Sequence, residues 1–76
     1  MHLKAGESPE SNEVTEVFLD GVLIPEVYEL DTRERWLTRY ARDERGQPIA
    51  IGNAWQMERL TGTVLVKFKD GSQVGG

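Results

Sequence analysis

The stretch "RYARDERGQPIAIGN" (residues 39–53) decides the fold, because it reads two ways. As a helix, residues 32–45 carry an apolar stripe of Trp36, Leu37, Tyr40 and Ala41. Asp31 with Glu34 three residues later would cap its start, and Gly46 and Pro48 would end it. As strands, Trp36, Thr38 and Tyr40 share one face, and Leu37, Arg39 and Ala41 the other. Asp43-Glu44-Arg45-Gly46 then suits a type I turn closed by a left-handed glycine, with "PIAI" as the returning strand. Pro48 falls at the first residue of that strand, where a missing donor is tolerated.

The flanking segments favour strands. In "VTEVFLDGVLI", Asp20-Gly21 separates two runs rich in β-branched residues, the signature of a two-residue type I′ hairpin over residues 15–24. "EVYELDT" alternates Val27 and Glu29 against Tyr28 and Leu30. "TGTVLVKFK" sets Val64, Val66 and Phe68 on one side, and Thr61-Gly62 offers a tight turn back to "AWQMERL". Because sequential strands usually pair, the hairpin around residues 44–47 is the preferred solution. The expected fold is mainly β: an antiparallel meander of five or six short strands, curled into a small sandwich or partly open barrel. The alternative is an α+β chain with one helix at 32–45. Trp36 and Val66 are the expected core residues.

The order of these turns resembles a group of short tailed-phage and prophage proteins of unknown function. The residues that carry the likeness are Val17, Asp20, Gly21, Asp31, Thr32, Trp36, Tyr40, Asp43, Gly46, Pro48, Glu58, Arg59, Gly62 and Val64. Leu37 and Ala41 depart from it, standing where such proteins are rich in Val and Thr. The resemblance implies a viral setting among late or packaging genes, hence the bacterial host cytoplasm or an assembled virion. It implies no chemistry.

Size and composition bound the rest. Seventy-six residues make one domain at most. Residues 1–13, with Gly, Pro, Ser, Asn and Glu, and residues 70–76, rich in Gly, have little to bury, so both are expected as loose tails around a domain at 14–69. The first residues lack the apolar segment of a secretion signal, and no apolar run approaches the roughly 18 residues of a membrane span.

Catalytic equipment is sparse. The chain has no cysteine, a single histidine (His2), and serines only at Ser8, Ser11 and Ser72, all within the expected tails. No acidic cluster has metal-ligand spacing and no glycine-rich phosphate loop is present. The expectation is therefore a protein that is not an enzyme and takes no cofactor or metal.

Charge is uneven. Residues 1–31 carry eight acids against Lys4, net −7, whereas residues 32–76 are net +3. Complementary charges on neighbouring strands explain the division most simply. The residues singled out for partner binding are Arg35, Arg39, Trp55 and Arg59. A second phage protein is the expected partner, with self-association as a further expectation. Nucleic acid bound through an arginine-rich face is the alternative, disfavoured because the whole chain carries a net charge of −4.

Overall fold

A computed structural model describes residues 1–75. It is an antiparallel β structure of ten strands among those residues: β1 His2–Lys4, β2 Val14–Leu19, β3 Val22–Leu23, β4 Val27–Asp31, β5 Trp36–Tyr40, β6 Ala50–Ile51, β7 Ala54–Trp55, β8 Met57–Thr61, β9 Val64–Phe68 and β10 Gln73–Gly75. They form two four-stranded sheets, ordered β1-β4-β5-β8 and β10-β9-β2-β3, and a separate two-stranded arm, β6-β7. Neither large sheet closes into a barrel. The strands beyond the five or six that the sequence implies are two or three residues long, too short to show as periodic runs.

The decisive segment is a hairpin. The Gly46 N–H donates to Asp43 O at 3.0 Å, Gly46 has φ 77°, and Asp43 N donates to Gln47 O at 2.9 Å. The Asp43 carboxylate also accepts from the backbone of Arg45 and Gln47 at 2.8 and 2.9 Å, fixing the turn that the sequence implies. The helix alternative is overturned, since residues 36–40 are strand. The acid that resembles a helix cap, Asp31, instead accepts from Arg33 N and Glu34 N at 2.9 and 3.0 Å in the turn between β4 and β5. The Asp20-Gly21 turn also stands as expected, with φ 50° and 81°.

Register aligns the core. Leu3 pairs with Leu30, Leu30 with Leu37, and Leu37 with Leu60, a row of leucines across the first sheet. Val74 pairs with Val66 and Val66 with Val17 across the second, and Ile24 N continues the row by donating to Val17 O at 2.9 Å. Buried members of both rows, with Val64, form one cluster, so the sheets pack as a sandwich.

Several expectations change. Val66 is fully buried, but Trp36 is not a core residue: the inward face of β5 is the one bearing Leu37, which is 0% exposed. In β4 the predicted alternation fails at an irregularity between Val27 and Glu29, which lets both Val27 and Leu30 reach the core cluster. Thr61-Gly62 does not close a hairpin. It leads the chain from one sheet to the other, since β8 pairs with β5 and β9 with β2 and β10.

The expected tails are structured. β1 pairs with β4 and buries Leu3, and β10 pairs with β9. Composition misses this because one leucine and one valine are enough to seat a three-residue edge strand.

Candidate interaction surface

Among the described residues no group of three or more His, Asp or Glu side chains approaches metal-ligand geometry. The His2 ring nitrogen lies 2.6 Å from Glu29 Oε2. Ser8 Oγ accepts from Lys4 N and Ser11 Oγ donates to Ser8 O, so these two hydroxyls serve a backbone turn, whereas Ser72 takes part through its backbone N, which donates to the Asp70 carboxylate. No helix among the described residues is long and apolar enough to cross a membrane.

The arginines singled out from the sequence are not brought together. Arg35 occupies the left-handed position of the β4–β5 turn, φ 63°, and its guanidinium donates to Thr63 Oγ1 at 2.9 Å. Arg39 shares the inward parity of Leu37 and is held by Glu58, Nε to Oε1 2.5 Å. Arg59 lies on the opposite face, its guanidinium carbon 4.1 Å from the centre of the Trp36 ring. One arginine braces a turn, one is neutralised, and one is stacked on an aromatic ring.

Trp55 is different. It lies in the arm and is 58% exposed, and Ile51, in the neighbouring residue pair and on the other face of the arm, is 66% exposed. The arm departs from the sheets where Ala41 N donates to Gln56 O and Ile49 N to Ala41 O. Its two strands pair only with each other, Ala50 with Trp55 and Ile51 with Ala54, around a turn whose Gly52 takes φ 63°. All four paired residues are apolar and exposed.

At the foot of the arm, Trp55, Pro48, Tyr40 and Tyr28 line a groove of about 480 Å³, with Val27 and Ala5 completing its wall. Tyr28 and Tyr40 meet edge to face, centroids 6.0 Å apart. Arg42 clamps the base of the arm: its guanidinium binds both carboxylate oxygens of Glu26 and donates to Gly46 O at 2.6 Å. The hydrogen bond from Arg42 holds the Glu26 carboxyl below its ordinary range and raises Arg42 in turn. This pair joins an acid of the first half to a base of the second, as complementary charge predicts.

A second cleft, about 450 Å³, opens between the sheets beside β3 and is lined by Leu3, Val17, Ile24 and Leu30 among others.

Sequence reasoning missed Tyr28, Pro48 and Ile51 as members of this surface, whereas Tyr40, with Trp36 and Trp55, reads from the sequence either as packing or as a partly exposed anchor. Ile51 had a readable signal, since Gly52-Asn53 between apolar residues is a turn. Tyr28 had none, because its approach to Tyr40 depends on the irregularity in β4.

No family model, no curated protein and no solved structure matches the chain.

Proposed function

We propose that the chain is a non-catalytic protein-binding component of a tailed phage or prophage. It acts in the host cytoplasm or in the assembled particle, and its arm, residues 42–55, makes the contact with another phage protein. The observation that carries this reading is a hairpin only two residue pairs long that exposes a large apolar side chain on each face, Trp55 on one and Ile51 on the other. A hairpin of that size is marginal by itself in water. Docking into a partner would bury its apolar side chains, and a half-exposed tryptophan is the kind of residue that anchors protein interfaces. The aromatic groove at its foot extends the same surface.

The absence of an enzymatic role is part of the proposal. Its support is chemical: His2 is engaged with Glu29, and the hydroxyls of Ser8 and Ser11 are engaged with a backbone turn. The dispersal of Arg35, Arg39 and Arg59 supports a protein partner over nucleic acid, because a phosphate-binding groove needs its cations aligned.

The test is capture from infected or prophage-induced cells, nuclease-treated, at low and moderate salt. Recovery of particle proteins at both salt levels is the expected result. Recovery of nucleic acid alone, lost with nuclease, would transfer the function to the alternative.

A further inference from the structure

Beyond the arm, the edge of the first sheet points to a second partner. β8 is the outermost strand of that sheet and, at five residues, the longest edge strand among those described; β1, β3 and β10 have two or three. Its pairing with β5 runs without irregularity from Met57–Tyr40 to Thr61–Trp36.

The direction of its free hydrogen-bonding groups follows from two bonds. Gly62 N donates to Arg35 O, and Ala41 N donates to Gln56 O. In an antiparallel ladder bonded pairs alternate, so Leu60–Leu37 and Glu58–Arg39 are bonded and the backbones of Met57, Arg59 and Thr61 face away from β5. None of these three makes another backbone hydrogen bond among the described residues. The common protections of an edge are weak here: β8 has no proline, no lysine and no bulge, and its inward-facing acid, Glu58, is already neutralised by Arg39.

We infer that β8 pairs antiparallel with β8 of a second copy of this chain, joining the two four-stranded sheets into one of eight strands across a twofold axis. Three registers bring two or more pairs of outward-facing residues together. Centring on Arg59 sets two guanidinium-bearing residues opposite each other and puts Leu60 against Glu58. Centring on Glu58 sets two carboxylates opposite each other. Centring on Leu60 has neither fault. Arg59 then bonds with Thr61 of the second copy, Thr61 with its Arg59, and Leu60 lies against Leu60 in the closer, non-bonded pair. That register also continues the row Leu3, Leu30, Leu37, Leu60 directly into its twofold copy. Avoidance of like-charge pairs and continuity of the core row therefore select the same pairing, an isologous one that closes at two copies.

The experiment uses the full chain. Sedimentation equilibrium across a concentration series gives the mass, and amide hydrogen exchange at the two ends of the series gives the location. The expected result is a shift from one copy to two, with exchange at Arg59 and Thr61 about tenfold slower or more at the high end, as mass action on a pairing equilibrium requires. Thr61→Pro removes an outward N–H without touching the bonds to β5, and it should remain a folded single copy at all concentrations. Should that variant fail to fold, the exchange pattern of the unaltered chain decides alone. A single copy throughout with Arg59 and Thr61 unprotected overturns the proposal, as does a two-copy species that survives Thr61→Pro or protects β1, β3 or β10 instead.

Discussion

Leu37 and Trp36 are neighbours on one strand, and the pleat sends them to opposite faces. Leu37 sits in the leucine row with no exposure, so Leu37→Ala leaves a cavity and should cost about 3 kcal/mol in urea unfolding. Trp36→Ala should cost less, since it loses a half-buried ring and the Arg59 contact but opens no hole in the core. Thr38 lies between Trp36 and Tyr40 on the outward face, and its hydroxyl oxygen is covered with no hydrogen-bond partner. Thr38→Val should therefore stabilise the fold by roughly 1 kcal/mol, read as a rise in the unfolding midpoint. Two glycines differ in what surrounds them. Gly46 has φ 77° and open space where a methyl group would project, so Gly46→Ala carries the left-handed penalty alone, about 1 kcal/mol. At Gly62 an added Cβ would lie 2.6 Å from Asp20 Oδ2, and Gly62→Ala should be the worse of the two in the same measurement.

At the scale of elements, side chains act as turn fasteners. Asp20 Oδ1 accepts from Thr63 N at 2.9 Å, linking the first hairpin to the crossing between sheets, while Asp31, Asp43 and Asp70 each hold their own turn. The backbone N–H groups of Glu34 and Arg33 keep the Asp31 carboxyl below its ordinary value, and Ser72 does the same for Asp70. With Glu26 these are carboxyls whose folded pKa is depressed. Their contribution is complete above the unfolded value, near pH 4, and is lost as pH falls through the lower folded value. The urea midpoint should accordingly drop on acidification below about pH 4, and Glu26→Gln should show a smaller drop. Turns were the most legible features of the sequence, because Asp20-Gly21 and Asp43–Gly46 specify geometry through adjacent atoms. The inward face of β5 was not legible, because Trp36 and Leu37 are both apolar and only the facing valines of the other sheet decide between them. The β4 irregularity and the edge strands at both ends depend on the same long-range packing, so composition read residues 1–13 and 70–76 as tails. Of the surface residues, exposed Trp55 was readable from its place beside a glycine turn, whereas Arg35, Arg39 and Arg59 were separated by turn and pleat.

As a whole molecule the chain is a closed two-row core with an exposed arm beside it. Among the described residues the core has every large buried side chain supplied by Leu or Val, and the exposed Ile51 and Trp55 of the arm lie outside it. The division lets the arm change without loss of the fold. The most direct measurement combines capture from nuclease-treated induced cells with urea unfolding for three chains: the unaltered protein, the double variant Ile51→Ser with Trp55→Ala, and the double variant Arg35→Ala with Arg39→Ala. The arm variant should unfold at the same midpoint within about 0.5 kcal/mol, since both side chains are more than half exposed and lie outside the core cluster, and should lose the captured particle protein. The arginine variant should keep it. Undiminished capture by a folded arm variant, or capture lost only with the arginines and only alongside nucleic acid, would contradict the account.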